Sequence, residues 1–306
     1  MAVSDTHPPS IQFRAMGSLV HIVTDGPPFL LDQGRARIGA LEELWSRFLP
    51  DSEISRMNRS ADWTAVSADT VTLIDCAIAG WRITGGAFDP TILSSLVSIG
   101  YAESMGDTPG RTMLSAPAQR GPAPGAPHIE IDRKTSRARL PMGTGFDPGG
   151  IGKGLAADLV ATELVESGAK AAIVSIGGDL RVVGETPASW VVSIENPFNP
   201  DRSVAELGLV DGGVCTSSVH AKTWFEDSRE MHPLIEPRTG EPVVSSIVSA
   251  TVLAAEAWLA EVLAKAAITG DALGALGFLE SAGVEGLLVD VDHVVWRTPG
   301  LARFAA

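Results

Sequence analysis

The sequence predicts an α+β fold whose strands are mostly antiparallel, and three observations carry that expectation. Strand-forming stretches outnumber helical ones, while the helices come as long amphipathic runs between groups of strands. Several strand candidates are neighbours in sequence across short turns: residues 11–24 around Met16-Gly17-Ser18, residues 128–140 across Lys134-Thr135-Ser136, and residues 286–290 followed by 293–296. No strand–GxGxxG–helix unit with a downstream acidic residue is present, which argues against a NAD-dependent oxidoreductase.

In order, residues 11–24 alternate well enough for two short strands. Residues 33–49 follow as a helix with Ile38, Leu41, Leu44, Trp45 and Phe48 on one face. Pro50-Asp51-Ser52-Glu53 restarts the chain, and Ser52 with Ser55 could cap a short helical turn through Met57. Residues 69–84 form a second amphipathic helix ending at Gly85-Gly86. Ala87-Phe88-Asp89-Pro90-Thr91 then presents a carboxylate at the head of another helix, where the plainest role of Asp89 is capping. Residues 105–127, rich in Pro, Gly, Ala and Ser, read as a surface loop.

The stretch from Gly145 to Gly154 places five glycines around Lys153 and is led in by Asp147. Ile151, Leu155, Leu159, Val160, Leu164 and Val165 recur behind it at helical spacing, and Gly168 closes the run as a C-cap. A Gly-rich approach to a helix exposes backbone N–H groups at the positive end of the helix dipole, which suits a phosphate. Lys153 would add a point charge there, and Asp147 a carboxylate or an acceptor for a ligand edge. The stretch is not a P-loop, because GxxxxGK[ST] is absent. A tight turn packed closely on a neighbouring strand is the equally open alternative.

Strands at 171–176, 180–183, 190–195, 204–209 and 213–218 follow, the first stopping at Gly177-Gly178-Asp179 and the last ending in hydroxyls. A strand at 247–253 and helices at 255–269 and 272–281 precede the final strand pair. The chain has 306 residues, enough for a sizeable core, with 45% hydrophobic and 20% charged residues. A net charge of −14 excludes a nucleic-acid or anionic-membrane surface as the default partner. Any anionic ligand must therefore be held by local dipoles, a few cations or a bound metal. Cys76 and Cys215 give neither a disulfide framework nor zinc spacing. Residues 1–10 read as a disordered polar tail without the apolar core of a signal peptide, no run reaches membrane-span length, and the protein is expected in the cytoplasm.

The order of these pieces resembles the ApbE family, the FAD:protein FMN transferases. The matching segments are Ala15-Met16-Gly17-Ser18, Phe48-Leu49-Pro50-Asp51-Ser52-Glu53-Ile54-Ser55-Arg56-Met57-Asn58, Ala87-Phe88-Asp89-Pro90-Thr91, residues 147–158, Gly177-Gly178-Asp179, and Glu236-Pro237-Arg238-Thr239-Gly240. The resemblance implies a single domain over residues 11–306, built as two intertwined lobes of T-fold-like α/β units with the flavin cleft between them. It implies transfer of FMN from FAD, with Mg²⁺, to a Thr or Ser hydroxyl of an acceptor protein, with release of AMP.

Residue by residue, Met16, Ala87, Phe88, Asp89, Asp147 and Lys153 fall at positions that contact FAD in the family, and Gly150 at the position whose carbonyl helps hold the metal. Met57 stands where the family places an aromatic to stack on the flavin. The family's metal-binding Asp-x-x-x-Thr falls on Glu261 and Lys265, and its His falls on Pro233, with His232 displaced by one. Mg²⁺ wants hard oxygen ligands, and an ammonium supplies none. Lys265 could stand in for the metal as a fixed charge beside the pyrophosphate; the plain alternative is a solvated Glu261–Lys265 salt bridge at i, i+4. Pyrophosphate charge would fall to Lys153, Arg238, Lys265 and helix N-termini together, with His232 or Glu236 as base. A catalytically degenerate flavin-binding protein on the same scaffold is the second reading.

Overall fold

The computed structural model describes residues 8–105, 109–185, 189–226 and 228–306. Eight strands form its central sheet: β1 (Ser10–Ala15), β2 (Ser18–Thr24), β3 (Ala171–Ile176), β4 (Asp179–Gly184), β5 (Gly212–Ser218), β6 (Ile247–Ala254), β7 (Glu285–Asp290) and β8 (Val295–Arg297). They lie side by side in chain order, every pair antiparallel, so the sheet is a meander into which helical segments are inserted. The antiparallel expectation holds. Of the ten residues expected to be a disordered tail, 1–7 lie outside the described residues, and Ser10 already pairs with Val23 in β1.

Two tight turns set the register near the later site. Met16 and Gly17 connect β1 to β2 with φ of 51° and 63°, and Gly177 and Gly178 connect β3 to β4 with φ of 60° and 91°. Positive φ at both central residues is the hairpin geometry whose twist matches the strands. Met16 carries a Cβ into that region at a cost of about 1 kcal/mol. Its N–H donates to Glu42 Oε1 at 2.8 Å, which offsets part of it.

The side-chain period of two sorts the sheet's residues between two cores. Ile22, Val174, Val252 and Leu288 face the helices, while their neighbours Val23, Ile173, Leu253 and Leu287 face the hairpin formed by Trp190–Asn196 and Asn199–Leu209. The segment between β2 and β3 carries α1 (Phe29–Trp45), α2 (Glu53–Arg59), α3 (Ala68–Ile83), α4 (Leu93–Ser98) and α5 (Gly152–Glu166). The segment between β6 and β7 carries α6 (Ala257–Ile268) and α7 (Ala272–Ser281). Helix α1 starts at Phe29, earlier than its apolar stripe suggests, because Pro27 and Pro28 initiate it. It also ends earlier, since Ser46 leaves the helix and its carbonyl accepts from Ser52 and Ser55. The last strand begins at Val295 rather than at His293, whose φ of 64° places it in the turn. Among the described residues no helix is long and apolar enough to cross a membrane.

Helices α5 and α6 touch backbone to backbone, and this contact builds the site. A Cβ at Gly154 would lie 2.6 Å from the Ala257 carbonyl oxygen, so only glycine permits the approach. Helix α6 lacks a cap from its own Glu256. Asp158 of α5 caps it instead: Oδ1 accepts from the Ala257 N–H and Oδ2 from the Trp258 N–H, both at 2.8 Å. Asp158→Ala strands both donors and should lower stability by about 2 kcal/mol, measurable by urea unfolding.

Candidate active site

Two loops are laced together at the head of α5. The Asp147 N–H donates to the Pro90 carbonyl at 2.8 Å, and Thr144 Oγ1 donates to the Thr91 carbonyl at 3.1 Å. Asn58, buried on α2, grips Phe146 on both sides: its Nδ2 donates to the Phe146 carbonyl at 3.0 Å and its Oδ1 accepts the Phe146 N–H at 2.7 Å. Asp89 is buried and satisfied. Its Oδ1 accepts from the Thr91 N–H at 2.9 Å and Thr91 Oγ1 at 2.6 Å, and its Oδ2 from Trp81 Nε1 at 3.0 Å. The capping role expected of it is what forms.

Behind these loops lies a cluster of four charged side chains. Lys153 Nζ bonds Asp179 and, at 3.0 Å, Glu261 Oε1; Lys265 Nζ reaches the same Glu261 oxygen at 3.2 Å. Glu261 Oε2 accepts the Gly154 N–H at 2.9 Å. The N-terminus of α5 therefore does hold an anion, but the anion is the protein's own carboxylate. Nor is the Glu261–Lys265 pair a solvated one, because Glu261 is 0% exposed. The two carboxylates are driven apart. Burial alone would push the Glu261 carboxyl up, but Lys153, Lys265 and the Gly154 N–H outweigh it and hold it below the usual range. Asp179, with one cation in contact and Glu261 close by, is raised by burial.

A second ion pair closes the site from the α1 side. Arg47 is 3% exposed, and its Nε forms an ion pair with Asp147 Oδ1 at 2.8 Å. Its guanidinium lies over the rings of Phe48 and Tyr101, 4.2 and 4.5 Å from their centroids, and donates to Thr112 Oγ1 and, at 3.1 Å, to the Tyr101 carbonyl.

The ApbE family's sequence profile matches residues 16–288 of this chain. The chain belongs to the ApbE family. The FAD:protein FMN transferase of Vibrio cholerae is 32% identical over 215 residues, covering 68% of this chain and 63% of that protein. A Klebsiella pneumoniae FAD:protein FMN transferase is 28% identical over 231 residues, covering 72% of this chain and 65% of that protein. The matched stretch thus spans just under two thirds of those relatives. The solved ApbE protein of Thermotoga maritima superposes with a TM-score of 0.85 at 23% identity, covering 98% of this chain and 99% of that one. The flavinyl transferase ApbE of Pseudomonas stutzeri gives 0.82 at 23% identity over 100% and 99% of the two chains. At that identity the structural likeness is one of fold.

Not all the positions singled out in this ApbE chain converge. Gly150, Phe88 and Lys265 meet: a Cβ on Gly150 would lie 2.8 Å from the Phe88 ring and 3.2 Å from the Lys265 stem. Ala87 and Asp89 flank Phe88, and Asp147 leads into the same loop. Met16 sits in the β1–β2 turn, and a Cβ on Gly177 of the adjacent turn would lie 3.8 Å from Lys153 Cδ. Met57 is packed in the core at 2% exposure. Arg238 stands apart, 87% exposed and paired with Glu236 at 2.9 Å. His232 is lowered by burial, opposed by a hydrogen bond to the Val243 backbone and by Glu230; its Nδ1 has no partner among the described residues, and the charges acting on it are those of Glu230 and His220, not of the lysine cluster. Sequence reasoning missed Arg47, Asn58 and Asp179 as site residues; Asn58 and Asp179 left a trace, at the end of the segment from Phe48 to Asn58 and in the Gly177-Gly178-Asp179 turn, and Arg47 left none.

Proposed function

We propose that this chain transfers FMN from FAD to a Thr or Ser hydroxyl of an acceptor protein, with release of AMP. The observation that carries the reading is the convergence of Lys153 and Lys265 at the head of α5, two ammonium groups held in place by Asp179 and Glu261 in a chain of net charge −14. The curated relatives bearing the name FAD:protein FMN transferase support it. In the reaction, the acceptor oxygen attacks the phosphorus nearest the flavin, the pyrophosphate P–O bond breaks, and AMP leaves with the bond's electrons. The protein's part is alignment and charge neutralisation. Lys153 and Lys265 stabilise the pyrophosphate oxygens, and Asp147, oriented by Arg47, accepts a donor edge of the ligand. The hydroxyl proton needs a base. Of the two candidates, Glu236 is occupied by Arg238, whereas His232 is kept neutral by burial and its Nδ1 has no partner among the described residues.

The residues present do not fit Mg²⁺. Both Glu261 oxygens are taken by Lys153, Lys265 and the Gly154 N–H, and Lys265 offers an ammonium where an oxygen ligand is needed. Among the described residues no group of three His, Cys, Asp or Glu side chains could hold a metal ion. A doubly charged ion about 4 Å from an ammonium is repelled by about 8 kcal/mol at an effective dielectric near 20. Lys265 therefore takes over the electrostatic part in this reading. Lys265→Thr combined with Glu261→Asp should tighten Mg²⁺ binding in calorimetry and raise metal-dependent transfer. Tight Mg²⁺ binding by the unaltered protein, unchanged by the double substitution, would sink the idea.

A further inference from the structure

Lys222 belongs to no motif, and its surroundings set it apart. It lies on the segment that leaves β5 after Ser218 and rejoins the protein body at Trp224. One end is fixed to the sheet, where the Val219 N–H donates to the Val248 carbonyl at 3.0 Å. The other end is fixed by Trp224, whose Nε1 donates to the Ile99 carbonyl at 2.9 Å and whose ring stacks on Tyr101 with centroids 5.2 Å apart. Tyr101 in turn lies under Arg47, which holds Asp147. The segment thus runs from the strand beside Asp179's strand to the Arg47–Asp147 pair, and Lys222 is carried between them.

The side chain is half-buried, and among the described residues its ammonium has neither an ion-pair nor a hydrogen-bond partner. Burial, then the nearby charges of Lys153 and Lys265, push its pKa down, while Asp147 and Asp179 act the other way. Lys222 thus brings a third ammonium towards Lys153 and Lys265, whose own partners are Asp179 and Glu261, while Asp147 is matched by Arg47. Half-burying an unpaired cation costs free energy unless an anion joins it.

We propose that Lys222 is a phosphate-binding residue, the cation that meets the pyrophosphate of FAD while Lys153 and Lys265 are also paired within the protein. The proposal rests on the transferase reading for the identity of the ligand. Lys222→Gln and Lys222→Arg are the variants to make, and loss of an unpaired, half-buried charge should leave thermal unfolding unchanged or raise it. In flavin-fluorescence titrations, Lys222→Gln should weaken FAD about 10- to 100-fold and leave riboflavin unchanged, with Lys222→Arg close to the unaltered protein. Inorganic pyrophosphate, measured by calorimetry, should bind the unaltered protein and bind Lys222→Gln more weakly. Unchanged FAD affinity in Lys222→Gln, or equal losses for FAD and riboflavin, would overturn the assignment. If the unaltered protein bound no FAD, the transferase reading would fall. The pyrophosphate comparison would then decide Lys222 alone, a loss in Lys222→Gln supporting it and no difference overturning it.

Discussion

Glu261→Ala is expected to lower global stability by about 3–5 kcal/mol, the cost of removing one partner from a buried ion pair. The carboxylate is fully buried and takes two ammonium groups and one backbone N–H. Its removal leaves Lys265 without its partner, Lys153 with Asp179 alone, and the Gly154 N–H unmatched inside the α5–α6 contact. Urea unfolding followed by circular dichroism measures the loss; a change within about 0.5 kcal/mol, as for an ordinary surface substitution, would contradict it. The same carboxylate gives stability a pH dependence. Because its pKa is depressed by folding, the folded state binds fewer protons here than the unfolded chain. Its contribution is complete above the ordinary value of 4.5 and is lost as pH falls through the lower folded value. Glu261→Gln cannot titrate, so stability should fall less steeply with acid in that variant than in the unaltered protein.

Arg47→Met should cost about 3–5 kcal/mol by the same logic, with a different signature. Asp147 would lose its partner on the floor of the site, and the Tyr101 and Phe48 rings would lose the guanidinium between them. Each cation–π contact adds about 1 kcal/mol to that loss. Arg47→Lys keeps the charge but not the planar fork that serves Asp147, Thr112 and the Tyr101 carbonyl together, so it should recover only part of the stability. Full recovery by lysine would show that charge alone matters at this position.

The parts legible in the sequence are those fixed over short distances. The hairpins at Met16-Gly17 and Gly177-Gly178, the Ser52 cap and the helix behind the Gly-rich loop all follow from turn chemistry and periodicity. The Glu261–Lys265 pair was visible because i, i+4 spacing puts both on one helical face. Its burial was not, because periodicity does not tell which neighbour covers that face. Partners far apart in the chain stayed hidden for the same reason. Asn58 grips Phe146 from 88 residues away, and Asp158 caps a helix 99 residues on. No pattern of residue types reports such pairings. Lys153 shows the consequence: loop and charge were plain in the sequence, but the two carboxylates that share its ammonium come from β4 and α6.

The proposed activity, that this ApbE chain moves FMN rather than only binding flavin, can be tested directly. The most direct measurement incubates the protein with FAD, with and without Mg²⁺, and a peptide carrying an acceptor Thr, then reads the peptide by mass spectrometry and in-gel flavin fluorescence. Covalent FMN on the peptide with stoichiometric AMP is expected, with a transfer rate that falls when Lys153 is replaced by Met. An unmodified peptide alongside demonstrable FAD binding would contradict it and leave a flavin-binding protein on the same scaffold.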